Sequence, residues 1–457
     1  MFRRGSLVRK VIRRVHSPED LKINRSVVTS ASFNMNEKFK LPTRCGTGAP
    51  SVWIEYSQIV AQHKPQVNLG QGFADFHCPE HITTALANAA KNPNPLIQQY
   101  ARGFGHVRLV NALSKLYSGL ICNEINPMTE VLVTCGAYEA LFCAILGHVD
   151  VGDEVIIIEP FFDCYDAMVA MAGGVSRFIA LKPSNPNKEN LTSADWVLDE
   201  EELASLFNDK TKLILLNSPH NPTGKVFTLK ELEFIANLCK KHNVLCIYDE
   251  VYEWLVYGEQ KHIRIATLPG MWERTISIGS AGKSFSVTGW KLGWAYGHAN
   301  IIKNLQVIHQ NCVYTCSTPL QEALAEAIEL ELSRYDTPEC YFKSLAVELE
   351  TKRDYICKML KENGFNPTIP EGGFFVMADW TKLENKIDLS TENDEFKDYK
   401  FTKKFAKESS VLAIPPTAFY STKNKYLGEN YARFCFIKKT ENLKLADKLM
   451  REWNAGK

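Results

Sequence analysis

From about residue 67 to residue 310, short apolar runs alternate with longer segments of helical spacing. That is the pattern of strands and covering helices layered around a mainly parallel sheet, and the fold class is read as α/β. The runs at 131–134, 154–158, 213–217, 245–248 and 275–278 are the strand candidates. Segments 138–148, 165–172 and 229–242 carry apolar residues three and four apart and read as helices. A further helix is expected from Val52, and Val67 to Phe73 runs into a glycine turn at Gly70 and Gly72. Beyond about Ser333 the texture becomes α+β: a long charged helical pattern at 343–362, the run Gly372-Gly373-Phe374-Phe375-Val376, and a closing helix at 443–453. A smaller domain is therefore expected over 333–457, with an N-terminal arm and part of that domain over 31–69 and a large domain over 70–332. No internal repeat or long linker interrupts the pattern.

Composition narrows the partners. A chain of 457 residues with 45% hydrophobic and 23% charged residues is long enough for two domains in one body. Its net charge of +1 supplies no field that would collect nucleic acid or an acidic membrane, so a small-molecule partner is expected. The 13 cysteines contain no C-x-x-C pair and sit mostly in apolar runs, as reduced thiols do; no disulfide framework and no metal site is expected. No window approaches the ~20 apolar residues of a membrane span. Arg3, Arg4, Arg9, Lys10, Arg13 and Arg14 alternate with apolar residues, and no acidic residue precedes Glu19. Residues 1–30 thus carry the pattern of a mitochondrial transit peptide, which would send the chain to the matrix. A disordered basic tail has the same composition, and the cytoplasm is then the alternative.

Five places carry candidate chemistry. Ser280-Ala281-Gly282-Lys283 follows a strand candidate, but a phosphate-binding P-loop needs glycine where Ser277 stands, and the S-D-N and K-T-G partners of a serine-nucleophile S-x-x-K motif do not occur. Lys283 is otherwise a Schiff-base lysine at a strand end, with Ser280 and Lys291 available to a phosphate, or a solvated surface lysine. Asn217-Ser218-Pro219-His220-Asn221-Pro222-Thr223-Gly224 forms a rigid turn where open α/β sheets hold ligands; ordinary strand-to-helix turns share its composition. Asp249 and Tyr252 end another strand. The carboxylate would keep a pyridine nitrogen protonated and the phenol would meet a ring hydroxyl, or the pair is a helix cap with a packed tyrosine. Thr134-Cys135-Gly136-Ala137-Tyr138 opens a helix whose first N–H groups suit a phosphate, and Phe162 offers a ring to stack on another. Arg433, alone in an alternating apolar strand, needs a carboxylate, supplied by a substrate or by an internal salt bridge, or else faces solvent.

Together, the order and spacing of N-S-P-H-N-P-T-G at 217–224, Asp249 with Tyr252, S-x-x-K at 280–283 and Arg433 resemble the class I aminotransferases of fold type I, over roughly residues 45–455. The stretches VNLGQGFADF (67–76), SAGKSFSVTGWKLG (280–293) and HQNCVYTCSTPLQ (309–321) are most similar to the kynurenine aminotransferase, or cysteine-S-conjugate β-lyase, branch. The resemblance implies pyridoxal 5′-phosphate (PLP) as cofactor, a seven-stranded, mainly parallel sheet, and a homodimer with a shared active site. It makes Lys283 the catalytic lysine, with Gly136, Ala137, Tyr138, Phe162, Asn217, Asn221, Asp249, Tyr252, Ser280 and Lys291 around the cofactor. Arg433, Asn217, Gly72, Trp53 and Tyr138 would meet the substrate, with Tyr100 and Tyr314 reaching in from the partner. Lys291 stands where many class I relatives have arginine, and Thr315 where some of the branch have histidine. The implied reaction moves the amino group of kynurenine, or of another large neutral, aromatic or sulfur amino acid, to an oxo acid such as 2-oxoglutarate, pyruvate or glyoxylate. β-Elimination from cysteine S-conjugates and glutamine transamination would use the same residues. A PLP-binding regulator without turnover is the rival from another class, and it would gain if Lys283 and Arg433 both stood out of reach of the pocket.

Overall fold

In the computed structural model, strands β1 to β7 are Val131–Thr134, Glu154–Glu159, Val175–Ala180, Thr211–Asn217, Leu245–Asp249, Thr275–Ser280 and Gly293–Tyr296. They form a seven-stranded sheet in the order β1-β7-β6-β5-β4-β2-β3. β7 runs antiparallel to both neighbours, and the other pairs are parallel. The structure describes residues 39–45, 51–185 and 188–456, so the expected leader over 1–30 lies outside the described residues. Arg44–Lys457 is one compact unit and contains both ranges read above as domains.

Burial follows the two-residue period of a strand. Ile157, Leu215, Ile247 and Ile276 join the core on one face, while Ile156, Ile214, Cys246 and Tyr248 join that on the other. Helices α1 to α4 are Val52–His63, Gly136–Leu146, Cys164–Ala172 and Leu229–His242, and α5 is Ala299–Cys312. α2 and α3 cover the first face through Ala140, Leu141, Ala144, Tyr165 and Met168. α4 covers the second through Leu232, Ile235, Ala236 and Cys239, and a capping box between Thr228 and Glu231 starts it. A sheet covered on both faces needs apolar residues at nearly every position, which is why β1, β2 and β4 read so clearly in the sequence.

Register then assembles one edge. Asn217 of β4 lies opposite Asp249 of β5, and Asp249 opposite Ile278 of β6. Gly293, first residue of β7, pairs with Ser280 on one side and Thr134 on the other. The carboxyl ends of β1, β4, β5 and β6 and the start of β7 therefore meet. A smaller antiparallel sheet of β8 (Asn366–Pro367), β9 (Phe375–Asp379) and β10 (Tyr431–Cys435) sets Arg433 opposite Met377. A bridge from Ile414 to Arg433, next to the parallel pairing of Val67–Asn68 with Val411–Leu412, brings the Gly70 turn to the same arginine. Among the described residues no helix is long and apolar enough to cross a membrane, and no group of three or more His, Cys, Asp or Glu side chains could hold a metal ion.

Candidate active site

The turn after β4 is held by its own amides. Asn217 Nδ2 donates to the Asp249 carbonyl (2.9 Å), and its Oδ1 accepts the Asn221 N–H (2.7 Å). Gly224 closes the turn at φ +77°, where a Cβ would stand 2.2 Å from Pro370 Cβ, so a side chain there is excluded both sterically and conformationally. At the end of β5, buried Asp249 accepts the Tyr165 hydroxyl on Oδ2 (2.6 Å) and the Val251 N–H on Oδ1 (3.3 Å). Burial pushes its carboxyl up to about 6, against the pull of the Tyr165 hydrogen bond. Tyr252 packs edge-on against Phe374 at 5.0 Å, and its phenol is raised by burial and then by Asp249.

Lys283 lies within the single helical turn Ala281–Ser284 that follows β6. It enters a cavity of ≈ 200 Å³ also lined by Gly136, Ala137, Tyr138, Phe162, Tyr165, Asn217, Asn221, Asp249, Tyr252, Ser280, Thr288 and Lys291. Its Nζ lies 5.1 Å from the centre of the Phe374 ring and 5.6 Å from that of Tyr252, and it donates to the Gly72 carbonyl at 3.4 Å. Burial first, with the Arg433 and Lys291 cations helping, lowers this amine to about 8. An amine so placed is a base near neutral pH.

Gly136 and Ala137 line the cavity at the start of α2, where the first N–H groups of a helix have no intrahelical partner. Gly136 has φ +76°, and a Cβ on it would stand 3.4 Å from Lys291 Nζ. Gly293 lies so close behind that its Cβ would be 2.4 Å from the Ala137 nitrogen. Helix start, Ser280 and Lys291 line the same cavity, a donor set suited to a phosphate.

Arg433 is buried, yet it makes no ion pair among the described residues. Nη1 donates to Asn221 Oδ1 (3.1 Å) and Nη2 to the Gly70 carbonyl (3.0 Å), while Nε has no partner. The guanidinium carbon lies 4.1 Å from the Phe375 ring centre, 4.9 Å from Phe419 and 5.2 Å from Trp53. Burial lowers it to about 10. An internal salt bridge, the rival reading of this residue, is not what the fold builds. β10 is also buried on both faces from Ala432 to Cys435, not alternating.

Trp53, Gly72 and Arg433 thus form a cluster joined to the cavity through Asn221 and Lys283. Tyr100 and Tyr314 stand apart: their rings meet at 5.7 Å, they are 82% and 57% exposed, and neither lines the cavity of its own chain. The sequence reading missed Tyr165, Thr288, Phe374 and Phe375. Tyr165, three residues after Phe162, and the aromatic pair after Gly373 were visible as residues, but nothing local ties them to Asp249 or Lys283.

Residues 64–449 match the family described as aminotransferase class I and II. The chain is 52% identical over 427 residues to kynurenine–oxoglutarate transaminase 3 of Mus musculus, covering 93% of each. It is 45% identical over 405 residues to kynurenine–oxoglutarate transaminase 1 of Rattus norvegicus, covering 88% of this chain and 95% of the relative. In structure it resembles Bna3p of Saccharomyces cerevisiae with a TM-score of 0.83 and 33% identity, over 90% of this chain and 97% of the other.

Proposed function

The chain belongs to the class I and II aminotransferases, and from that premise we propose that it transfers the amino group of kynurenine to an oxo acid such as 2-oxoglutarate, with PLP held in the Lys283 cavity. Other large neutral, aromatic or sulfur amino acids are donors on the same reading, and two copies share each site. The observation that carries it is Arg433, a buried guanidinium with an unpartnered Nε and no ion pair among the described residues, felt by Asp163 only through space and bonded to the Asn221 side chain on the cavity wall. An α-carboxylate supplies what that group lacks.

The residues present fit PLP. Asp249 is a buried carboxylate with no ion pair among the described residues, raised by burial, so a cationic ring N–H is the partner it lacks. Gly136, Ala137, Ser280 and Lys291 would hold the phosphate, Asn221 and Tyr252 the ring hydroxyl, and Phe162 the ring face. When bound, PLP supplies an electron sink for charge developing at the substrate Cα. Lys283 Nζ takes the proton from that Cα in the first half-reaction and returns one to the oxo-acid carbon in the second. Arg433, with Asn217 and Gly72, orients the carboxylate so that the Cα proton faces the amine. Phe374 and Tyr252 exclude water around Nζ and keep it a base. Trp53, Tyr138 and, from the partner, Tyr100 and Tyr314 give aromatic donors an apolar wall.

The test compares wild type with Lys283→Ala and Arg433→Lys. Wild type incubated with PLP is expected to gain the visible absorption of a lysine-bound cofactor and to form kynurenic acid and glutamate from kynurenine and 2-oxoglutarate. Lys283→Ala loses both. Arg433→Lys keeps the band but drops about 100-fold in kcat/KM, the cost of a charge-assisted bidentate contact. A wild type that forms kynurenic acid no faster than Lys283→Ala would overturn the proposal.

A further inference from the structure

Behind the phosphate cradle lies a buried pair that the reaction described above does not use. Glu139, in the first turn of α2, accepts His309 Nδ1 on Oε1 at 2.6 Å, and its Oε2 accepts the N–H of Cys135, the residue that begins that helix. The other ring nitrogen, His309 Nε2, faces the Gly103 carbonyl at 2.9 Å. Both nitrogens of a fully buried imidazole therefore have partners, and Glu139 is held on one oxygen by that ring and on the other by the Cys135 N–H at the helix start.

His309 also ties together the segments that bear the exposed tyrosine pair. Gly103 sits three residues after Tyr100, and a Cβ on it would lie 3.1 Å from the Tyr314 carbonyl. The His309 carbonyl closes the end of α5 by accepting the N–H groups of Val313 (2.9 Å) and Tyr314 (3.0 Å). We infer that Glu139 and His309 are positioning residues: a clamp that fixes the Cys135–Gly136 start of the phosphate-binding helix and anchors it to the two loops that present Tyr100 and Tyr314. This rests on the PLP reading above. It adds that the affinity for the cofactor's phosphate is set partly from behind the helix, by residues that touch neither cofactor nor substrate.

The experiment measures PLP affinity by absorbance titration of cofactor-stripped protein, and inorganic phosphate affinity by its competition with PLP. Glu139→Ala and His309→Gln are expected to raise the Kd of both PLP and phosphate about tenfold or more, as the loss of one buried charge-assisted hydrogen bond does. Glu139→Gln is the conservative rescue. Its carbonyl can still accept from Cys135 and its amide can donate to a neutral His309 that donates to Gly103, so its Kd is expected to stay within about twofold of wild type. If His309→Gln does not fold, the two Glu139 variants still decide the matter. Glu139→Ala binding PLP as tightly as wild type, or Glu139→Gln losing as much as Glu139→Ala, overturns the clamp alone. A wild type that takes up no PLP overturns the underlying reading and the clamp with it.

Discussion

Asp249 is a buried group that costs stability near neutral pH and that the proposed cofactor would put to use. Burial raises its carboxyl from 3.8 to about 6, so the cofactor-free fold binds this proton more tightly than the unfolded chain does. The group's contribution to stability is therefore fully present below about pH 4 and is lost as pH rises through about 6. At pH 7.5 Asp249→Asn should stabilise the cofactor-free protein by up to about 3 kcal/mol, and the gain should vanish near pH 4. With PLP the sign reverses, because the ring N–H then has no counter-charge. Thermal melts at the two pH values, with and without PLP, read both signs, and a cofactor-free variant less stable than wild type at pH 7.5 would refute the account. Arg433 and Lys283 follow the same logic: each is a cation that burial has made less comfortable and that the proposed ligands would relieve.

At the scale of elements, the short strand β7 does more for the site than its length suggests. Its first residue pairs with both Ser280 and Thr134, and its missing side chain lets β7 pass directly behind the α2 start. Gly293→Ala would drive a methyl into the Ala137 nitrogen. It should cost about 1–3 kcal/mol in denaturant unfolding and weaken PLP binding as well. Gly119→Ala is the control, since nothing lies within 4 Å of the added Cβ and the residue is inside the helix Val107–Ile121. Equal unfolding curves for the two variants would contradict the role given to Gly293. β7 and the edge strand β3 were the two strands of the main sheet that hydrophobic pattern did not identify. Four residues opening on glycine carry almost no periodicity, and β3 has one half-exposed end where its apolar and polar residues lose their alternation. The longer strands buried on both faces, such as β2 and β4, were legible because only continuous apolar runs can occupy them.

For the whole molecule, the exposed Tyr100 and Tyr314 pair makes sense if a second copy receives it. Lys283→Ala and Tyr100→Ala chains should each be impaired alone and should recover kynurenine transamination when co-expressed, since a mixed dimer contains one site with neither defect. Recovery is read on the mixed species purified through two different tags. No recovery above the two parents would show that each chain completes its own site.

What the sequence determined by itself was the set of groups attached locally to a strand end or turn: Lys283 after its small neighbours, Asn221 in its proline-locked turn, Asp249 with Tyr252, and Arg433 isolated among apolar residues. Such groups are legible as candidates because chain chemistry over a few residues dictates the turn or strand end that carries them. Pattern also determined that an α/β sheet would carry them, since burial on two faces constrains nearly every residue of a strand. Only the tertiary structure decided which strand lies beside which. That choice put Tyr165 on Asp249, Phe374 around Lys283, Gly293 behind Ala137 and His309 against Glu139. Periodicity says which face a residue occupies; the neighbour it meets there is settled by strand order and register, which depend on the packing of the entire core.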